Sequence, residues 1–364
     1  LPQKKLSYEA ILDSMLEVPS SQFMTTEPLY PQYALLKSYL KKHREIKKTG
    51  GWPVITADKK TYRLGDSSSA IKTVRQRLLL SGDIAVNNQS AIFDTDLENG
   101  VKSFQQRYGF TDDGILTAGL IKEMNYPVEK RIEQIIVNME RCRWLPVALK
   151  RDYIVVNIPE FQFHAFENDT VAWSMKVVVG KAMHKTAIFN GMMSSVVFSP
   201  YWNIPYSIMK KETLPALRRN RNYLNRNHME WNGNSIRQVP GPWNSLGKVK
   251  FLFPNSHSIY LHDTPAKTLF SKDERAFSRG CIRVSEPKRL AMYILRHQPE
   301  WTEAMIDSAM NGNIEKVVTV RTPVPVFIAY FTSWVDGKGK LNFRKDIYDR
   351  DSHLAKMIIE NSGL

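Results

Sequence analysis

Cys281 sits behind Gly280 and nineteen residues after His262, in a chain that holds only two cysteines. A thiol is the side chain best suited to attack an amide carbonyl, because a neighbouring imidazole and local positive charge can make it a thiolate near neutral pH. Gly280 leaves the backbone beside the sulfur uncrowded, so its amide and that of Cys281 can aim at an oxyanion. Nucleophile, base and oxyanion donors together describe acyl transfer.

The base is chosen by its place in the chain. Ser258 to Leu261 reads as a short strand with Ile259 and Leu261 on one face and Ser258, Tyr260 and His262 on the other, ended by Asp263-Thr264-Pro265. His262 is then mounted at a strand terminus, with Tyr260 as a pocket wall. His257 follows a Pro-Asn-Ser turn and remains an alternative base. His164, His184 and His297 have no cysteine or carboxylate pattern beside them and read as structural or surface groups. The Asp263 side chain follows the histidine directly and points elsewhere, so a backbone carbonyl near Asp263 is expected to orient the imidazole. Arg283 either holds a substrate carboxylate bidentately or makes a structural salt bridge. No His, Cys, Asp and Glu cluster has zinc-ligand spacing, and neither metal nor cofactor is expected.

The string Ser278-Arg279-Gly280-Cys281-Ile282-Arg283-Val284, preceded by Tyr260-Leu261-His262-Asp263-Thr264-Pro265, resembles the catalytic motif of the YkuD-type L,D-transpeptidases of bacterial cell walls. The resemblance covers roughly residues 150–330. Arg143-Trp144-Leu145-Pro146 and Pro200-Tyr201-Trp202-Asn203-Ile204-Pro205 look like the large periplasmic branch typified by YcbB. One position departs: Arg279 stands where many members carry a second histidine. The resemblance implies Cys281 as nucleophile, His262 as base, Gly280 in the oxyanion site, and Ser278, Arg279, Arg283, Tyr260 and Trp202 around the oxyanion or substrate. It also implies peptidoglycan tetrapeptide stems as donor and acceptor, joined by a 3→3 cross-link, in the periplasm or cell envelope of a Gram-negative bacterium. An L,D-carboxypeptidase, a cysteine amidase and a non-catalytic wall-binding protein are the alternatives.

Composition agrees with such a setting. Lys and Arg number 51 against 36 Asp and Glu, a net charge of +15 that suits an anionic envelope surface. The basic residues are spread along the chain with no nucleic-acid-binding motif, so nucleic acid is not expected as a partner. No apolar run is long enough for a transmembrane helix, and the chain begins without an initiator Met, as a trimmed form would. Cys142 falls on a helical stripe with Ile132, Ile135, Ile136 and Met139, which is core spacing, so a disulfide to Cys281 is not expected.

The periodicities give an α+β chain. A helical scaffold is expected over residues 1–55, with helices at Tyr8–Leu16 and Tyr33–Lys47. Residues 60–126 resemble a three-helix peptidoglycan-binding module: Ile71, Val74 and Leu78 share one helix face, Thr95-x-x-Glu98 reads as a capping box, Gly109 stops the second helix, and Leu120, Ile121 and Met124 mark the third. A scaffold helix follows over 127–148. From 153 the period changes to two, and 150–335 is expected to form a mostly antiparallel β-sandwich catalytic domain, interrupted by a capping subdomain at 203–250. Pro323 and Pro325 place the strand Val317–Tyr330 at a sheet edge. A tail over 336–364 ends in a helix near His353.

Overall fold

The computed structural model describes residues 31–144, 152–168 and 170–362. The expected helix at Tyr8–Leu16 and the Leu145-Pro146 part of the Arg-Trp-Leu-Pro segment lie outside them. The chain divides into two compact units, at residue 148 and again at residue 330, with the last segment returning to the first unit.

In the first unit, α1 (Gln32–Lys48) packs on α5 (Val128–Cys142), and α2 (Ser69–Ser81), α3 (Thr95–Tyr108) and α4 (Ala118–Met124) lie between them in sequence. A short ladder, β1 (Thr61–Tyr62) with β2 (Leu116–Thr117), closes the three-helix segment. Helix α3 starts one residue earlier than the expected capping box: Asp94 is the N-cap, its carboxylate accepting the Leu97 N–H at 2.9 Å, and Arg75 pairs with the same side chain. An ionised cap offers a stronger acceptor than a threonine hydroxyl. Gly109, at φ 76°, ends the helix as expected. Leu36, Leu40, Val74, Phe104, Leu120, Ile135 and Cys142 belong to one buried cluster with Val335, Leu341 and Phe343 of a C-terminal hairpin. The three-helix segment therefore shares its core with the flanking helices and the tail, which ends in the helix Arg350–Ser362. Burial pushes the Cys142 thiol up to about 12, so it is inert at neutral pH.

The second unit is a nine-stranded, mostly antiparallel sheet. Its strands are β3 (Asp152–Asn157), β4 (Gln162–Glu167), β5 (Thr170–Gly180), β6 (Phe189–Phe198), β10 (Val249–Leu252), β11 (Leu261–His262), β12 (Ala276–Ser278), β13 (Ile282–Val284) and β14 (Lys316–Ala329). Between β6 and β10 lie β7 (Trp202–Asn203), β8 (Met229–Asn232) and β9 (Ser235–Gln238), which make a small sheet of their own. The main order is β12-β5-β13-β11-β10-β6-β14-β3-β4, and β4 pairs back to β5, so the two faces of the sandwich belong to one ladder closed on itself. Strand β14 pairs with β6 over most of its length but with β3 only over Val326–Ala329, so Lys316–Pro325, which holds both prolines, lies at a sheet edge as expected, and only the end of the strand is central. Pro323 also falls where the β6 register shifts, between Thr319 and Val324, and Pro325 stands opposite Met192 with its other side unpaired.

Register sets the faces. Paired residues on neighbouring strands share a side of the sheet, and Ile282, Leu261, Phe251, Val196 and Val318 form one continuous buried rung. The next rung, on the opposite face, runs Arg283, His262, Lys250 and Val197. Residues 203–250 fold around Ile204, Met209, Leu224 and Ile236, with a helical run Tyr206–Arg219 that contains a π-turn at Met209–Thr213.

His43 in α1 generates a prediction. Burial, with Arg77, Arg131 and Arg107 nearby, holds it down to about 4 from an ordinary 6.5. Between those values the unfolded chain binds a proton that the folded chain refuses, so stability is full above pH 6.5 and is lost as pH falls toward 4. Thermal unfolding of this unit should weaken by about 1–3 kcal/mol over that window, and His43→Gln should flatten the slope; an unchanged slope would refute the assignment.

Candidate active site

The cysteine loop hangs between β12 and β13. Strand β13 pairs in parallel with β11, Leu261 opposite Ile282 and His262 opposite Arg283, so the residue before β13, Cys281, lies beside Tyr260, the residue before β11. The Ile282 N–H donates to the Tyr260 carbonyl at 3.1 Å and fixes that alignment. The sulfur is half-buried. Tyr260 offers it a backbone N–H and its hydroxyl, and the thiol donates to the Ser258 carbonyl at 3.8 Å. The expected strand at Ser258–Leu261 is shorter than its pattern suggested: β11 begins at Leu261, and Ser258 takes φ 53°, turning the chain so that its carbonyl faces the sulfur.

His262 is 4% exposed. Its Nδ1 donates to the Asp263 carbonyl at 2.5 Å, as expected, and the Leu246 carbonyl also faces the ring. The Asp263 carboxylate points away, accepting the Lys248 N–H at 2.9 Å and pairing with Lys267. Gly247 makes room for it: a Cβ there would lie 2.4 Å from that carboxylate. Burial and the Arg283 charge hold His262 down to about 4. Among the described residues no hydrogen bond joins His262 to Cys281; Tyr260 touches both, its ring centroid 5.7 Å from that of His262.

The thiol departs from expectation. Burial pushes it up, and the opposing influence of Tyr260 and Arg283 does not reverse the direction. At neutral pH the resting pair is therefore a neutral thiol and a neutral imidazole, not a preformed thiolate.

The loop and its surroundings correct further expectations. The Gly280 N–H is spent on Ser278 Oγ at 3.2 Å, so it is not an oxyanion donor here. Ser278 is in turn held by its own loop, its hydroxyl donating to the Cys281 carbonyl at 2.5 Å. Trp202 begins the small sheet, opposite Gln238, and packs against the core of residues 203–250. Arg279 pairs with Glu212 of the π-turn. The N–H groups of Cys281 and Arg279 have no partner among the described residues. Buried Nε of Arg283 also has none, which leaves an uncommitted cation beside the sulfur. His257 stays at the turn, its ring near Phe189. His164 does have a carboxylate beside it: Glu160, four residues earlier, at 3.0 Å. Sequence reasoning missed Thr186, whose hydroxyl donates to the Gly280 carbonyl; no local pattern marks a contact between residues 94 apart.

Because the Tyr260 hydroxyl favours the thiolate, Tyr260→Phe should shift the pH profile of Cys281 alkylation by iodoacetamide to higher pH. A profile that stays put would show that the hydroxyl does not act on the sulfur.

Residues 151–326 match the model of the YkuD family, described as L,D-transpeptidase catalytic domain, and residues 67–124 match a family described as "Putative peptidoglycan binding domain". A Haemophilus influenzae protein named "Putative L,D-transpeptidase" is 29% identical over 247 residues, 62% of this chain and 50% of that one. The chain thus spans about half the length of that curated relative. Solved structures include an L,D-transpeptidase from Mycobacterium smegmatis (16% identity, 49% of this chain and 58% of that one, TM-score 0.28) and one from Stackebrandtia nassauensis (12%, 75% and 97%, 0.31). These structural overlaps are low, and the assignment rests on the sequence matches. The chain carries a YkuD-family L,D-transpeptidase catalytic domain together with a peptidoglycan-binding domain.

Proposed function

We propose that this protein forms 3→3 peptidoglycan cross-links through a thioester on Cys281. The observation that carries the reading is the cluster at the β11–β13 pairing, where a half-buried thiol, a neutral buried histidine, and an arginine Nε and two amides without partners among the described residues lie in and beside one loop.

Since both partners rest neutral, the thiol must lose its proton as it attacks, and His262 is the assigned base. The sulfur bonds to the carbonyl carbon of the third stem residue. The oxyanion forms against the Cys281 and Arg279 amides. As it collapses, the bond to D-Ala breaks and His262 protonates the departing amine. An amine from a second stem then attacks the thioester, His262 takes its proton, and the thiol is regenerated. Arg283 is assigned to a substrate carboxylate, for which a half-buried guanidinium whose Nε lacks an acceptor is suited.

Residues 203–250 are assigned as a cap that keeps water from the thioester, tied to the cysteine loop by Glu212 and Arg279. That pair is half-exposed and worth about 1 kcal/mol or less. Glu212→Ala should then raise the hydrolysed share of product at most about five-fold. A far larger rise would mean that the pair does more than tie the cap. Residues 67–124 are assigned to hold the enzyme on peptidoglycan, in the periplasm or envelope of a Gram-negative bacterium.

Intact mass after incubation with a carbapenem tests the nucleophile. One adduct is expected, absent from Cys281→Ala and retained in Cys142→Ala; an adduct that survives Cys281→Ala would overturn the assignment. With tetrapeptide muropeptides, a cross-linked dimer supports transfer to an amine, whereas free D-Ala with monomeric tripeptide alone would make the protein an L,D-carboxypeptidase.

A further inference from the structure

Thr186 is fully buried, and it joins two segments that bear on the cysteine loop. Its hydroxyl donates to the Gly280 carbonyl at 2.8 Å and accepts the Gly180 N–H at 2.9 Å. Gly180 ends β5, next to Ser278 in the parallel pairing with β12. The chain from Gly180 turns back through Ala182–His184 and passes so close that a Cβ on Gly180 would lie 2.0 Å from the His184 carbonyl and 2.9 Å from the Thr186 nitrogen. Only a glycine permits that approach, and the approach delivers the hydroxyl.

What the hydroxyl holds is one end of a rigid plate. The Gly280 carbonyl and the Cys281 N–H belong to the same planar trans peptide and point in opposite directions. Fixing the oxygen toward Thr186, inside the fold, fixes the N–H on the other side of the chain. That N–H has no partner among the described residues. Gly280, at φ 116° and with open space where a Cβ would stand, offers little resistance of its own to rotation of this plate. Rotated by half a turn, the plate would present a carbonyl oxygen where an oxyanion has to be stabilised, and the two negative charges would repel.

We infer that Thr186 is a positioning residue that holds the 280–281 peptide in the one orientation able to stabilise an oxyanion. This rests on the reading of Cys281 as an acyl-transfer nucleophile. Substrate contact is not required of Thr186; it acts through the Gly280 carbonyl.

Two reactions of the same sulfur separate this role from a merely structural one. Acylation by a carbapenem passes through an oxyanion, whereas alkylation by iodoacetamide does not. Thr186→Val keeps the shape and removes the hydroxyl. It should slow Cys281 acylation by about 10²–10³-fold, the usual cost of one oxyanion donor, and leave alkylation of Cys281, mapped by peptide mass, within about twofold of wild type. Thr186→Ser keeps the hydroxyl and should restore most of the acylation rate. If circular dichroism shows the Val variant unfolded, Thr186→Ala removes the hydroxyl without adding bulk and is read in the same way. Acylation at the wild-type rate without the hydroxyl, or a parallel loss of acylation and alkylation, overturns the inference. A wild-type chain that takes no adduct at all removes the acyl-transfer reading itself, which is a separate result.

Discussion

Two residue pairs hold the site together: Leu261 against Ile282 and His262 against Arg283, in parallel. Parallel neighbours cannot be joined by a tight turn; they need a crossover of a dozen residues or more. The nineteen-residue spacing between His262 and Cys281 is that crossover, so the spacing that looks like a motif in sequence is a topological requirement in space. One face of the pairing is apolar and continuous with Phe251, Val196 and Val318, and this rung anchors the site in the core. The other face carries the histidine and the arginine. A one-residue slip would exchange the faces and put His262 into the core.

The electrostatics follow from the same burial. A site sunk in the fold disfavours charge, so the thiol moves up and the imidazole moves down. Neither shift prepares an ion pair, and each keeps its side chain uncharged. The charge that remains is the guanidinium of Arg283, which lacks a partner at its Nε. Such an arrangement gains most of its stabilisation only when a negative charge develops or arrives, which is the condition for favouring the transition state over the ground state.

Much of this was legible in the sequence. The strands of the second unit and the three helices of residues 60–126 follow from periods of two and 3.6, and the Gly-Cys string with its upstream histidine named the family. The backbone carbonyl that orients His262 followed from Asp263 being too near in sequence to turn its side chain around. Other features needed the fold. The prolines mark the edge half of β14, but that its last residues, Val326–Ala329, run between β6 and β3 has no local signal. Asp94 was passed over as a cap because Thr95 and Glu98 made a better-known pattern one residue along. Loss of the Gly280 amide to Ser278, and the hold of Thr186 on the Gly280 carbonyl, depend on rotations of single peptide planes and on contacts across the sheet. The first is the local turn that a serine two residues before a glycine favours, and only the second leaves no trace in residue type or spacing.

The closure of the main ladder between β4 and β5 has a consequence for how such a protein keeps company with its surroundings. An open sheet offers rows of unpaired amides and carbonyls at its margins, to which any extended chain can add. Here, among the described residues, the strand order ends on Ala276–Ser278, three residues long and stopped at once by the turn into Arg279-Gly280, and the Lys316–Pro325 half of β14, paired only with β6, carries two prolines that cannot donate to a further strand. Margins so short or so interrupted are poor templates for a foreign strand. The main sheet therefore offers extended peptides, and its own copies, little to add to.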